Sequence, residues 1–186
     1  MAETRTDQGM FLVDPEMRGI IPLDGFHRPR SLKKFMKRMT FDMSCNQAFA
    51  ELIHECARQT PDRDETWING GIEYLYTELH KQGHAHSIEI WDRDPHDPQK
   101  EPVLVGGLYG LSIGGAFFGE SMFSRKTNAS KVALVYLVEH LRARGYALLD
   151  TQFITDHLKR FGAIEIPRDD YKARLENALQ MNCHFD

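Results

Sequence analysis

The sequence predicts an α/β fold built on a mixed sheet. Three observations carry this. Apolar residues recur at helical spacing in the first half, with Phe49, Leu52, Ile53 and Cys56 on one face and Ile72, Leu75, Tyr76 and Leu79 on another. The period then changes to strand-like runs, AHSIEIW at 85–91 and PVLVGGLYGLSI at 102–113. Beyond residue 115, apolar segments and capped helices alternate to the end of the chain.

Taken in order, residues 1–43 read as loop with one short strand, because FLVDPEMRGIIPLDGFHRPR is broken by Pro and has no period. Ser44 is placed to cap a helix running to Arg58. TPDRDE reads as a loop, and a second helix follows from Asn69 to Gln82, stopped by Gly83. The two strand-like runs are joined by DRDPHDPQKE, an exposed hairpin loop. GAFFGESMF at 115–123 reads as a third strand. Asn128 is placed to cap ASKVALVYLVEHLRARG, and YALLDTQ at 146–152 is a buried-type strand. Thr155 caps a short helix ended by Gly162, AIEI is a short strand, and RDDYKARLENALQ is the last helix. Hairpins supply antiparallel neighbours and β-α-β crossovers supply parallel ones, so the sheet is mixed.

Composition narrows the function classes. With 186 residues, 41% hydrophobic and 27% charged, the chain suits one compact domain or a core with a small appendage. No apolar run approaches the ~20 residues of a membrane helix, and no leader is visible at the start. Cys45, Cys56 and Cys183 form no CxxC pair, which points to a cytoplasmic protein without a disulfide or zinc framework. The net charge of −4 argues against bulk nucleic-acid binding but not against a local basic patch. Such a patch exists: Arg28, Arg30, Lys33, Lys34, Lys37 and Arg38 fall within eleven residues with no acid among them. They read either as a phosphate-binding surface or as a solvated helix face, and interleaved Phe35 could add stacking.

Two carboxylates stand out. Glu120 lies in an apolar segment, and Asp150 ends an apolar strand, the position where α/β folds place sites. Gln152 shares a face with Asp150 by alternation. The competing reading is a pair of capping or salt-bridged acids. The Gly-rich run GGLYGLSIGGAFFGE is neither a dinucleotide fingerprint nor a phosphate loop. Ser121 lacks a nucleophile elbow, because Phe123 stands where the second Gly belongs. His84 and His86 are spaced for a metal on one strand face, but no third ligand follows, so structural histidines are preferred.

The words VDPEMRGIIPLDGFHRPRSLKK, TWING, HAHSIEIW, LVGGLYGLSIGGAFFGESMFS, NASKVAL, LLDTQ and HLKRFGAIEIPR resemble, in order from about residue 9 to 171, the bacterial leucyl/phenylalanyl-tRNA–protein transferase family. The resemblance implies an N-acetyltransferase-like (GNAT) mixed-sheet core at 44–186 behind a remnant of a small, truncated N-terminal lobe at 1–43. It implies transfer of Leu, Phe or sometimes Met from aminoacyl-tRNA to the α-amine of proteins that begin with Arg or Lys. The product is a degradation signal read by a Clp protease adaptor, and no metal or organic cofactor takes part. Carried over by position, Asp150, Gln152 and Glu120 line the catalytic centre, with Asp150 orienting or deprotonating the amine and Glu120 facing the acceptor's terminus or cationic side chain. Leu108, Phe117, Met122, Leu137 and Leu149 form the aminoacyl side-chain pocket. Trp67 packs on the terminal adenosine, and the basic tract serves the acceptor-stem phosphates. This chain has Phe11 and Leu12 near the point where relatives carry Trp, and it is expected to be N-terminally short. Two other functions fit a chain of this kind: an acyl-CoA-dependent N-acyltransferase of the same fold, and a non-catalytic tRNA or N-degron binder. The first is disfavoured by SRKTNASK, a helix start without the Gly needed for amides to approach a pyrophosphate.

Overall fold

A computed structural model describes residues 14–58, 66–94, 96–97 and 99–186. The TPDRDE loop at 60–65 and the Phe11–Leu12 position lie outside the described residues. The elements are β1 (Met17–Ile20), α1 (Arg30–Met36), β2 (Phe41–Cys45), α2 (Phe49–Ala57), α3 (Gly70–Lys81), β3 (Ala85–Asp92), β4 (Val103–Ile113), β5 (Ala116–Ser124), α4 (Ala129–Ala143), β6 (Leu148–Gln152), α5 (Asp156–Lys159), β7 (Ile164–Pro167) and α6 (Arg168–Leu179). The strands form one sheet in the order β2-β3-β4-β5-β6-β1-β7. Only β5 and β6 pair in parallel; every other neighbour is antiparallel.

The helices cover both faces. Strand alternation sends Leu149 to one core with α4, and Leu148 to another with α6. The first core holds Val132, Val135, Leu137 and Val138 of α4, with Leu32 of α1 and Leu158 and Phe161 from the α5 region. A further core packs Phe49, Leu52, Ile53 and Cys56 of α2 and Ile72 of α3 against Tyr109 and Leu104. The stripes expected for α2 and α3 are therefore the buried faces, apart from Leu75, which is exposed. No helix among the described residues is long and apolar enough to cross a membrane.

Local expectations fail where a tertiary partner overrides propensity. Residues 41–45 form strand β2 along β3, so Ser44 caps nothing. Its hydroxyl donates to the buried Glu89 carboxylate at 2.6 Å and accepts from Trp91 Nε1 at 2.7 Å. Helix α2 starts four residues later than expected, at Phe49. Asn69 and Thr155 do cap, each accepting an N–H from three residues on. Asn128 holds the N-cap position of α4 with φ +69° but makes no side-chain cap bond; its Oδ1 accepts from Lys131 instead. Residues 14–43 hold β1, α1 and the start of β2, more regular structure than the expected loop with one strand. β1 lies between β6 and β7, and β2 crosses the 43/44 boundary, so the sheet runs through both proposed segments.

The close approach of β4 and β5 requires glycine. A Cβ on Gly110 would sit 2.1 Å from the Phe118 carbonyl oxygen, at the bulge between Tyr109 and Gly110. Gly70, at the start of α3, has nothing within 4 Å. Gly110→Ala should therefore cost about 1–3 kcal/mol or more. Gly70→Ala should be neutral or stabilise by up to about 1 kcal/mol. Urea unfolding of the two variants against the parent chain checks the contrast.

Candidate active site

The site forms where the parallel pair separates. Pairing of β5 with β6 ends at Phe118 and Asp150. Beyond it, Glu120 and Met122 continue along β4 while Thr151 and Gln152 continue along β1. The resulting cavity, about 230 Å³, is lined by Leu108, Tyr109, Glu120, Met122, Leu134, Leu137, Leu149, Thr151, Gln152, Thr155, His157 and Leu158 together with Gly119 and Ser121. Four of the five positions expected in an apolar pocket are thus in its wall. Phe117 is not: it is fully buried and stacks on Phe185 at 5.3 Å in the core behind the wall.

Asp150 has no exposed surface and is fully engaged. Arg18 Nε donates to Oδ1 at 3.0 Å, and Arg18 Nη2 donates to Oδ2 at 2.6 Å. The Tyr171 hydroxyl donates to Oδ2 at 2.6 Å, and the Gln152 backbone N–H donates to Oδ1 at 2.7 Å. A carboxylate offers about four lone-pair sites, and these donors fill them. The Arg18 guanidinium also lies 5.0 Å from the Tyr171 ring centroid. Burial and the negative Asp150 push the Tyr171 phenol well above its usual range, so it stays a donor. Sequence spacing offered no sign of Arg18 or Tyr171, which reach Asp150 from separate elements.

That network shapes the backbone beside it. Gln152 has φ +57°, a left-handed conformation rare for a residue with a side chain. The Phe153 N–H bonds to the Thr151 carbonyl at 2.6 Å and closes a γ-turn centred on Gln152. Such strain persists only where the surroundings impose it, and the Asp150 bond to the Gln152 N–H is the local clamp.

Glu120 is the opposite kind of carboxyl. Burial pushes it up to about 7, with the Asp150 charge adding and the Tyr76 hydroxyl and Arg18 opposing. Tyr76 hydrogen-bonds it and packs edge-on against Tyr109, with ring centroids 5.2 Å apart. Three residues that line the cavity each hold a fully buried side-chain polar atom without a partner among the described residues: Tyr109 Oη, Thr151 Oγ1 and His157 Nε2. Unpaired groups of this kind cost about 1–3 kcal/mol each.

The other expected residues lie elsewhere. Trp67 is partly buried against the α2–α3 core. Arg30, Lys33, Lys34, Lys37 and Arg38 are exposed on and just beyond α1, while Arg28 pairs with Glu139 at 3.0 Å. Phe35 is partly buried, packing on Phe41 at 5.9 Å and anchoring α1 to the core. His86 is buried, bonded to Asn46 at 3.0 Å and stacked on Phe185, while His84 is exposed.

The sequence pattern of leucyl/phenylalanyl-tRNA protein transferase matches residues 20–176. The chain belongs to that family. It is 54% identical over 179 residues to the leucyl/phenylalanyl-tRNA–protein transferase of Rhizorhabdus wittichii, covering 96% of this chain and 69% of that one. To the same enzyme of Paramagnetospirillum magneticum it is 51% identical over 186 residues, covering all of this chain and 85% of that one. Among solved structures, FemX superposes with a TM-score of 0.56 at 12% identity, over 89% of this chain and 62% of FemX. That likeness shows an acyltransferase-type α/β fold. In this chain the ion-paired Asp150 and the Glu120 carboxyl stand where β5 and β6 separate.

Two outcomes follow for this site. Asp150→Ala in the transferase leaves the Arg18 charge, only 17% exposed, without its partner, and should cost about 3–5 kcal/mol in urea unfolding. Glu120 acts with the opposite sign. Its folded-state pKa is raised from 4.5 to about 7, so the stability it contributes is present below about 4.5 and lost as pH rises through 7. Glu120→Gln should therefore be more stable than the parent at pH 8, by about 1–3 kcal/mol, with the advantage gone near pH 4. Thermal melts across that range check it.

Proposed function

We propose that this chain transfers Leu or Phe from aminoacyl-tRNA to the α-amine of proteins that begin with Arg or Lys. The single observation behind the reading is the family match, which spans both walls of a cavity with apolar Leu108, Met122, Leu137 and Leu149 beneath Glu120 and Gln152. We read the core as N-acetyltransferase-like, with the separating parallel strands β5 and β6 as its ligand-binding split. The aminoacyl side chain enters that cavity; Met122 and the leucines suit both Leu and Phe, since flexible or wide apolar surfaces tolerate different shapes. Trp67 meets the terminal adenosine, and the exposed cations of α1 meet acceptor-stem phosphates. The protein works in the cytoplasm, and its product passes to a Clp protease adaptor.

The chemistry needs little beyond placement. An aminoacyl ester is already activated, so the acceptor amine attacks it directly, with no covalent enzyme intermediate and no cofactor. Holding both substrates in line supplies several kcal/mol, about 7 or more in favourable cases. The nitrogen–carbon bond forms, the ester carbonyl becomes an oxyanion, and collapse breaks the bond to the ribose oxygen. The amine must lose one proton, and the ribose oxygen must gain one. Asp150 has no free lone pair for this, because Arg18, Tyr171 and the Gln152 N–H occupy it. Asp150 is therefore assigned to positioning the Gln152 turn. Glu120, poised near neutrality at the cavity wall, takes the amine proton and returns it to the leaving oxygen. As a carboxylate it also attracts the acceptor's cationic terminus.

The test is transfer of labelled Leu and Phe from charged tRNA to an Arg-starting peptide, abolished by ribonuclease. The rate constant should rise with pH in two stages, through about 7 as Glu120 ionises and on to about 8 as the acceptor amine becomes neutral. Glu120→Gln should lower the rate by about 10²–10⁴-fold and erase the lower stage while leaving the one near 8. Absence of transfer by the folded chain would overturn the function, and a Glu120→Gln enzyme with the parent's pH profile would overturn the assignment of the base.

A further inference from the structure

The reading above leaves two cations at the cavity rim unused. Lys131 stands on α4 three residues, about 4.5 Å along the axis, before Leu134, which lines the cavity. Arg160 caps the end of α5, three residues beyond the cavity-lining His157. Both charges reach that ring: after burial, Lys131 and then Arg160 push the His157 pKa below the usual histidine range. Lys131 is half-buried and gives one of its three donors to Asn128 Oδ1 at 2.9 Å, while Arg160 is exposed. Arg28 and Lys159 pair with Glu139 and Asp156, but among the described residues neither Lys131 nor Arg160 pairs with a carboxylate.

These cations continue the basic tract of α1. Arg28, just before α1, pairs with Glu139 near the end of α4. At the other end of α1, Phe35 packs on Phe41, whose strand partner Asp92 pairs with Lys126, two residues ahead of the α4 cap. Helix α1 therefore runs antiparallel to α4, and Lys34, Lys37 and Arg38 lead toward the turn that holds Lys131. The His27 N–H donates to the Phe161 carbonyl at 2.9 Å, which brings Arg160 beside the start of the same tract. The opposite rim differs. There Tyr109 and Glu120 meet α2 and α3, which carry Glu51, Glu55, Glu73 and Glu78 against the single Lys81.

With the aminoacyl group in the cavity, its ester holds the terminal ribose at the mouth. The phosphates that precede that ribose must cross the rim within one or two nucleotides. Single-stranded nucleic acid is held by cations that track its backbone. Resting on the Leu/Phe-transfer reading, we propose that Lys131 and Arg160 bind the phosphates of the single-stranded CCA end of aminoacyl-tRNA, between the cavity and α1.

The test compares kcat/KM for two donors, phenylalanyl-CCA trinucleotide and phenylalanyl-adenosine, with one Arg-starting peptide at low salt. Only the first carries the phosphates, and the parent chain should prefer it. Lys131→Ala and Arg160→Ala should each lower the trinucleotide-to-adenosine ratio by about two- to fivefold, the range of an exposed charge pair. Lys131→Arg and Arg160→Lys keep the charge and should hold the parent ratio within about twofold. With whole Phe-tRNA, the fall of log kcat/KM with log salt should flatten by about 0.7 for each cation removed. Equal losses on both short donors would show a structural role and overturn the inference, as would an unchanged ratio or an unchanged salt slope. A parent chain that transfers from no donor, charged tRNA included, overturns the transfer reading itself, so the two failures are distinct.

Discussion

The buried pairing of Arg18 with Asp150 is the constraint around which the rest of the site is arranged. Taking both charges out of water costs several kcal/mol per ion, and only good geometry with full hydrogen bonding offsets it. Asp150 meets that condition, with two guanidinium nitrogens, a phenol and a backbone amide around one carboxylate. The donors come from β1, α6 and β6, so one carboxylate fastens three elements at the edge of the split. β1 pairs β6 on one side and β7 on the other, and Arg18 points its charge from that central position. The left-handed Gln152 follows from the same arrangement, because its N–H is drawn back to Oδ1. Gly19, opposite Gln152, must be Gly for a related reason: a Cβ there would lie 2.8 Å from the Phe153 carbonyl carbon.

Much of this was legible in the sequence, and the residues show why. Patterns that depend on one element were readable. The apolar run of α4, the strand-like 85–91 and 102–113, the helix start at Asn69 and the cap at Thr155 all appear where periodicity and capping rules put them. Glu120 and Asp150 were conspicuous as acids in apolar company. Features that depend on two distant segments were not readable. Arg18 lies 132 residues from Asp150, in a stretch with no period. Tyr171 sits on a polar helix whose inward face is narrow. Ser44 satisfies the rule for a cap and yet lies in a strand, because pairing with β3 and the buried Glu89 outweigh local preference. Phe117 alternates correctly with its neighbours, but nothing local shows that Phe185 covers it.

The two site carboxyls differ through environment alone, and the proposed division of their roles rests on that difference. Asp150 has its charge cancelled by Arg18 and its lone pairs filled. Glu120 has one phenolic donor and a poorly solvated position, so its charge is costly and its proton is held up to about 7.

A consequence for the acceptor follows from that division. With Asp150 and Arg18 neutralising each other, the charge of the cavity near pH 7 is set by Glu120. For the proposed reaction, the acceptor carries a fixed cation on its Arg or Lys side chain and an α-amine with a reference pKa near 8. The amine attacks only when neutral, and Glu120 accepts a proton only when ionised. A Glu120 ionised at low pH would lose basicity, and one ionised only at high pH would offer the cationic acceptor no attraction. Partial burial beside Tyr76 places it between these limits, so binding the cation and accepting the proton fall to the same side chain in the same range of pH.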